Sequence, residues 1–380
     1  MSDKSKVLVL GAGAVQLPLI KELRVLGFYV LAVSNIEEDK ASAEVDEFHL
    51  ISSANFPKIR ELIEQEGVIN AFSIGSDVAM RTLTKLAAHF SWVNHPTVEL
   101  FEFLHNKKQV REALCEVGLS KIECKSSIEY SEGLFDFAHN EKWIIKPIDG
   151  YGSKGIYQVE EYHDKEKYFK LAKMHSVEHQ VVVEPFIEGE QFTSEFFVTE
   201  EGQVIFLMVA EKMNNEAFVP YLYLLKSYSD FDKFINRVSA ALNLGKGFYN
   251  IDFVHGAAGF ELMDVAPRMG GNHLAVLYET AFEKNSIEDY VSFILDGTNL
   301  EKRKPAFFVG MYLLHHPKGG LVTTINEQID FVNVLAKEYW LAVGDEIPAF
   351  TQGSSQQGYL IFESNKKQSI DELDELFTEN

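Results

Sequence analysis

Apolar runs alternate with amphipathic stretches through the first 95 residues. Lys6-Val7-Leu8-Val9-Leu10 is an apolar run closed by Gly11-Ala12-Gly13. Leu19, Leu23 and Leu26 then fall at i, i+4 and i+7, the spacing of one helix face. Gly27 stops that stretch, residues 28–33 form a second apolar run, and residues 48–51 a short third. Residues 57–66 follow as a helix, 70–74 as a strand and 78–89 as a helix. Strands alternating with helices predict a mostly parallel, doubly wound sheet covered on both faces.

The pattern changes near residue 94. A single helix is expected over 98–117, containing Asn106-Lys107-Lys108-Gln109-Val110-Arg111 and ended by Gly118. Strands are expected at 142–147 and 156–159, joined by Ile148-Asp149-Gly150-Tyr151-Gly152-Ser153-Lys154-Gly155. A further strand, 181–184, breaks at Pro185. Residues 249–254 and 260–265 flank His255-Gly256-Ala257-Ala258-Gly259 and predict a hairpin. At 380 residues the chain exceeds one compact core, so two or three domains are expected. The fold class expected is α/β and α+β, with a parallel-sheet domain first and a mixed or antiparallel sheet after it. The divisions expected are 1–95, 96–183, 184–305 and 306–380.

Composition narrows the setting. Hydrophobic residues make up 46% of the chain, and no run approaches the roughly 20 apolar residues of a membrane span. The first residues, Met1-Ser2-Asp3-Lys4-Ser5-Lys6, lead into a strand without a signal-peptide apolar core. With only Cys115 and Cys124, neither a disulfide framework nor a CxxC metal site is available. A cytoplasmic protein is expected, with no membrane partner. The formal charge of −22 repels phosphate backbones, which argues against nucleic acid as a partner. Any lysine or arginine that holds a phosphate must therefore do so by local placement.

The first glycine turn invites comparison with a dinucleotide site, which needs GxGxxG. Here Gln16 stands at the third glycine, and Ser34-Asn35 ends the second strand without a carboxylate for a ribose. Gly11 and Gly13 fit a tight strand-to-helix turn better. Asp77, after Gly75-Ser76, suits either a helix N-cap or a substrate contact. In the 148–155 loop, Gly150, Gly152, Ser153 and Gly155 suit a mobile loop whose amides point at phosphate oxygens, or an ordinary long hairpin. Lys146, on the strand entering the loop, strengthens the phosphate alternative. The 181–190 segment offers an adenine slot walled by Phe186 and Ile187, or a plain interdomain connection.

The hairpin carries the most chemistry. With the turn centred on Ala257, Asn250, Asp252 and Asp264 share a face. Asp252 and Asp264 are then diagonal neighbours about 7–8 Å apart by Cα. Two such carboxylates repel unless a cation lies between them. Hard oxygen ligands suit Mg²⁺, which binds through one or two carboxylates plus substrate phosphates. Solvated surface acids are the alternative, disfavoured by apolar neighbours and by Arg268-Met269-Gly270-Gly271 just beyond.

In order and spacing these segments resemble the ATP-grasp superfamily, in its carboxylate–amine ligase branch. Bacterial L-amino-acid ligases look closer, and biotin carboxylase and carbamoyl phosphate synthetase more distant. The resemblance runs from Gly11-Ala12-Gly13 through Asn106-Lys107, Lys146-Pro147 with its glycine loop, and residues 184–189. It continues through Asp264-Val265-Ala266-Pro267-Arg268-Met269-Gly270-Gly271 to a C-terminal lobe with Gly344-Asp345-Glu346-Ile347 and Gln357-Gly358-Tyr359-Leu360.

The resemblance implies a role for each matching residue. Lys107 would contact the α-phosphate, and Lys146 the α- and β-phosphates. The 149–155 loop would cover the β- and γ-phosphates. Glu184 and the Ile187 backbone would hold adenine, and Glu190 or Gln191 the ribose. Asp252 and Asp264 would bind Mg²⁺, or Mn²⁺ in its place. Arg268 would stabilise the transferring phosphoryl group, and Gly270 and Gly271 would leave room for a carboxylate. The metal strand departs from the usual Glu-x-Asn-Pro-Arg, because Ala266 replaces the asparagine; Asn250 is the candidate substitute.

The expected activity is ATP-dependent activation of a carboxylate as an acyl phosphate and its coupling to an amine, with small-molecule substrates and a homodimeric state. Amino acids, small hydroxy or keto acids and a nucleotide-linked sugar carboxylate all fit. Specificity is expected near Gly75 to Asp77, Glu195, Glu211-Lys212, His315 and His316. The alternatives are a non-catalytic nucleotide-binding regulator, at odds with the retained Asp252, Asp264 and Arg268, and an NAD-dependent oxidoreductase, at odds with Gln16.

Overall fold

The structure, a computed structural model, describes residues 4–133, 142–160, 164–227, 230–325 and 333–364. Strands Glu47–Leu50, Tyr29–Ser34, Lys6–Leu10 and Asn70–Phe72 lie side by side in that order as a parallel sheet. Alternate residues face opposite ways along a strand. Val7, Val9 and Ala32 therefore pack on Leu19, Ile20 and Leu23 of helix Leu17–Val25. Leu8, Leu10, Leu31 and Val33 pack on helices Phe56–Glu66 and Asp77–Phe90. Burial on both faces is why these strands read as continuous apolar runs.

An eight-stranded antiparallel sheet forms the bulk of the remaining chain. Its order is Gly259–Ala266, Gly247–Gly256, Gly189–Val198, Val204–Asn214, Pro220–Leu225, Val309–Leu313, Gly358–Glu363 and Val334–Tyr339. One face is aromatic: Phe192 stacks on Phe253 at 5.2 Å, and Phe231 of helix Phe231–Ala241 on Phe253 at 4.4 Å. The other face is divided. Phe197, Phe248, Tyr223 and Met311 join the core shared with the first sheet and helices Leu274–Phe282 and Ser286–Asp296. Thr193, Lys212, Asn250, Asp252 and Asp264 leave the rest of that face polar, as the floor of a cavity.

A smaller sheet, ordered Lys125–Ser126, Val181–Pro185, Trp143–Pro147 and Tyr157–Val159, stands over that cavity and is backed by helix Lys165–Lys173.

Two details differ from the sequence expectation. The single helix over 98–117 is two, Val98–His105 and Lys107–Glu116. Asn106 leaves helical geometry at ψ 98°, and its side chain accepts from the Gln109 amide, so it caps a new helix. The second correction concerns the hairpin register. Gly256 pairs Gly259, and a bulge between Asp252 and Phe253 leaves Met263 unpaired. Asp252 therefore stands directly opposite Asp264, not diagonal to it. Direct opposition brings the Cα atoms to about 4.5–5.5 Å, well inside the diagonal spacing.

Candidate functional site

The cavity, about 800 Å³, is bounded by the first sheet's loops, the large sheet and the smaller sheet. Three strands place Thr193, Asp252 and Asp264 in one row across its floor, and Glu195, Asn250 and Ala266 in the next. Each aspartate has a lysine: Lys212 Nζ lies 2.6 Å from Asp252, and Lys107 Nζ 3.3 Å from Asp264. Among the described residues no group of three or more His, Cys, Asp or Glu could hold a metal ion. Two opposed carboxylates on a cavity floor fit an ion that draws its remaining oxygens from a phosphorylated ligand and water, as Mg²⁺ does. Asn250 spends its amide nitrogen on Thr193 Oγ1 and the Ser194 carbonyl, and stands opposite Ala266.

The helix break at Asn106 delivers Lys107 to this row. Its amide donates to the Ile148 carbonyl, and its Nζ to the Gly150 carbonyl at 2.7 Å. One turn further, Arg111 reaches a different acid. Glu184 is enclosed between Arg111 Nε at 3.2 Å and Lys146 Nζ at 2.6 Å. Burial alone raises a carboxyl, but here the two cations outweigh it and hold Glu184 down at about 2. Lys146 lines the cavity, whereas Glu184 lies behind it and acts on Lys146. The sequence expectation put Glu184 on adenine; its carboxylate is instead occupied by two cations.

The glycine loop is anchored at both ends. Asp149 accepts from the amides of Val177 and Glu178. A Cβ on Gly150 would meet Pro147 at 2.9 Å, and one on Gly155 would meet His175 at the same distance. Gly155 is therefore required for packing and does not line the cavity, whereas Gly150, Gly152 and Ser153 do. Gly152 and Ser153 both have positive φ, and Ser153 Oγ donates across the opening to the Phe218 carbonyl. Beside the loop, Ile144, Ile156, Phe186, Ile187 and Met263 give apolar walls to one end of the cavity. Gln191 lines this end and accepts from Asn214 Nδ2 at 2.6 Å, while Glu190 is exposed outside it.

Opposite, the first sheet's last loop meets the segment after strand Gly259–Ala266. Arg268 is held bidentately by Asp77, with Nε–Oδ1 2.7 Å and Nη2–Oδ2 2.8 Å. Ser76 is the helix N-cap, which leaves Asp77 free for this pair. Burial raises Asp77, and the guanidinium more than offsets it. Gly75, at φ +66°, donates to the Met269 carbonyl, and a Cβ there would lie 2.9 Å from Gly271 Cα. Gly270 is buried behind the cavity wall, its amide on Glu195 Oε1, while Gly271 lines the cavity. Glu195 Oε2 has no partner among the described residues, and burial pushes the carboxyl up to about 7.

The fold thus gathers Lys107, Lys146, Gly150, Gly152, Ser153, Ile187, Gln191, Asn250, Asp252, Asp264, Asp77, Arg268 and Gly271 around one cavity. It leaves Glu184, Glu190, Gly155 and Gly270 outside the lining. Sequence reasoning gave no role to Arg111, although it lies one helical turn from Lys107 on a face that must meet the same sheet. Lys212 was expected in the specificity region, but its pairing with Asp252 had no local signal, because their two strands are two apart in sequence and flank Gly189–Val198 in the sheet.

A parallel α/β unit, a large antiparallel sheet and a glycine-loop sheet closing on a polar floor define the ATP-grasp fold. The family model described as ATP-grasp domain matches residues 139–275, which hold the glycine loop, the Asp252–Asp264 hairpin and Arg268. The chain is 25% identical over 315 residues to an uncharacterised protein of Methanocaldococcus jannaschii, covering 79% of this chain and 76% of that one. Among solved structures it is similar to an L-amino acid ligase from Bacillus licheniformis, with TM-score 0.77, 16% identity and coverage of 98% and 96%. It is also similar to the biotin carboxylase domain of 2-oxoglutarate carboxylase from Hydrogenobacter thermophilus, with TM-score 0.76, 14% identity and coverage of 96% and 87%. That structure contains magnesium ADP and bicarbonate. Among the described residues no helix is long and apolar enough to cross a membrane.

Proposed function

We propose that the protein is an ATP-dependent ligase that activates a small-molecule carboxylate as an acyl phosphate and couples it to an amine, releasing ADP and phosphate. The observation that carries this is the directly opposed Asp252–Asp264 pair, with Lys107, Lys146 and Arg268 around the same cavity. In this assignment adenine enters the apolar end between Phe186, Ile187 and Met263, with Gln191 rather than Glu190 near the ribose. Asp252 and Asp264 would hold Mg²⁺, which offsets phosphate charge when bound. Lys107 and Lys212, on the same floor, would contact phosphate oxygens. Glu184 fixes Lys146 from behind, and Asp77 fixes the plane of Arg268.

The chemistry follows from leaving groups. A carboxylate oxygen attacks the γ-phosphorus, the bond to the β-phosphate oxygen breaks, and ADP departs. An amine nitrogen then attacks the acyl carbon, phosphate leaves with the electron pair, and the nitrogen gives up a proton to solvent. Phosphoryl transfer needs positioning and charge compensation more than covalent help. The glycine loop, bridged through Ser153 to Phe218, excludes the water that would hydrolyse the intermediate. The test is ADP release from ATP with a panel of amino, hydroxy and keto acids plus hydroxylamine. Acid-dependent ADP and hydroxamate are expected; binding of ATP without turnover for any acid would favour a regulator.

A further inference from the structure

Helix Lys107–Glu116 meets the hairpin with two cations one turn apart, Lys107 and Arg111. The hairpin presents two acids to them: Asp264 Oδ1 lies 3.3 Å from Lys107 Nζ, and Glu261 Oε2 lies 3.6 Å from Arg111 Nη1. Three residues apart, Glu261 and Asp264 would point to opposite faces of a regular strand. The bulge prevents that. Glu261 pairs with Val254 and Asp264 with Asp252, while Met263 is left unpaired. Both acids therefore fall on the face that residues 252 and 254 share. They lie two rungs apart, about 6.6–6.8 Å along the strand. The rise from Lys107 to Arg111 along the helix is about 6 Å. The extra residue in the strand thus brings the two acids into step with the two cations.

Each cation also reaches the smaller sheet that stands over the cavity. Lys107 Nζ donates to the Gly150 carbonyl of the glycine loop at 2.7 Å. Arg111 Nε donates to Glu184 Oε1 at 3.2 Å, and Glu184 Oε2 accepts from Lys146 at 2.6 Å. The helix therefore ties the smaller sheet to the hairpin at two points. Lys107 lines the cavity, whereas Arg111, Glu184 and Glu261 do not, so a ligand can disturb the first tie and not the second. Arg111 is 3% exposed, and its Nη1 also donates to Ser120 Oγ. Glu261 Oε2 is buried with no hydrogen-bond partner among the described residues, so the Arg111 guanidinium is the charge that compensates it. A planar guanidinium can hold two acids from two directions, which the point charge of an ammonium cannot.

We propose that Arg111 is a positioning residue that sets the distance between Lys146 and the Asp252–Asp264 pair. It acts through Glu184 on one side and Glu261 on the other, and touches no ligand. The bulge at Met263 gives it the second hold. The proposal rests on the ATP and Mg²⁺ assignment above. A nucleotide whose phosphates sit on Lys146 alone does not depend on that distance. One that also shares a metal ion with the hairpin is fixed at both ends, and an error in spacing then weakens its binding.

The test measures ADP affinity of the full-length protein by calorimetric titration, once with Mg²⁺ and once with EDTA in its place. The readout is the ratio of the two dissociation constants within each protein, so a uniform loss of stability or of nucleotide contacts cancels. Glu261→Ala removes the hold on the hairpin and leaves Glu184 on Lys146. It should cut the wild-type ratio by roughly tenfold, the order one charge-assisted hydrogen bond supplies. Arg111→Lys keeps the charge but loses the fork, and should cut the ratio as far. Glu261→Gln keeps an acceptor for the guanidinium and should retain most of it. An unchanged ratio in Glu261→Ala or in Arg111→Lys would overturn the proposal. A loss in Glu261→Gln as full as in Glu261→Ala would assign the effect to charge alone and overturn it too. If wild type binds ADP equally with Mg²⁺ and EDTA, the metal assignment has failed; if it binds none, the nucleotide assignment has. The positioning role falls with either.

Discussion

Two buried carboxylates, one in each of the two sheets that bound the cavity, are shifted in opposite directions. Glu184, gripped by Arg111 and Lys146, is held at about 2, below the ordinary value near 4.3. Its contribution to stability is complete above the unfolded value and is lost as pH falls from there toward 2. Glu184→Gln should cost roughly 3–5 kcal/mol at pH 7, since it leaves buried Lys146 without its acid and Arg111 with only Glu261, 3.6 Å away. The urea midpoint reports this loss, and the loss should shrink near pH 3. Glu195 behaves the other way, because burial raises it to about 7. The folded state favours its proton, so that contribution is full below about pH 4 and is lost as pH rises through 7. Glu195→Gln keeps the neutral shape and should raise the thermal midpoint at pH 8 but not at pH 5. A midpoint difference equal at both pH values would show that Glu195 does not hold a proton in the folded state. At the floor, Asp264→Ala should lower ATP turnover by about 10²–10³, measured as acid-stimulated ADP release in a variant whose circular dichroism matches wild type.

The loops that join the first sheet to the rest fix the site's geometry. Gly75 passes against Gly271 and Val15, where a Cβ would come within 2.7 Å of Val15 Cγ1. Gly75→Ala should therefore push the Asp77 loop off Arg268, cost roughly 1–3 kcal/mol, and lower turnover more than ATP affinity. Steady-state kinetics alongside ATP titration separates the two effects. At the other end of that loop, the Gln16 carboxamide accepts from the Gly13 amide and donates to the Ile74 carbonyl. It occupies the turn in which a dinucleotide pyrophosphate would need a bare glycine. Calorimetric titration with NADH should detect no binding; micromolar affinity would contradict this. These short-range features were legible in sequence because glycine, the periodic apolar residues and the turn positions act locally. The helix break at Asn106 was legible too, in an N-cap residue, but the apolar periodicity on both sides masked it. The bulge at Met263 was not, since counting outward from a turn assumes an unbroken ladder.

At the scale of the molecule, the sequence pattern indicated a parallel unit followed by a glycine loop and a hairpin bearing Asp252 and Asp264. It did not indicate that three parts of the chain meet in one cavity. Asp77 and Arg268 are 191 residues apart in sequence, and Lys146 and Glu184 are 38 apart. Such pairs follow from sheet order and docking, which no local window contains. The same holds for Arg111, which meets Glu184 and Glu261 from a helix outside both sheets. Against a net charge of −22, six lysine and arginine side chains line the cavity beside five acids, so local placement offsets the overall charge there. Product analysis of one reaction tests the central claim most directly: ATP, Mg²⁺, a panel of acids and hydroxylamine, with nucleotides and hydroxamates separated and quantified. The expected result is hydroxamate formed in equal amount with ADP and phosphate, and suppressed in Arg268→Ala more than ATP binding is. Stoichiometric AMP and pyrophosphate would contradict acyl-phosphate chemistry and place the protein among adenylating enzymes.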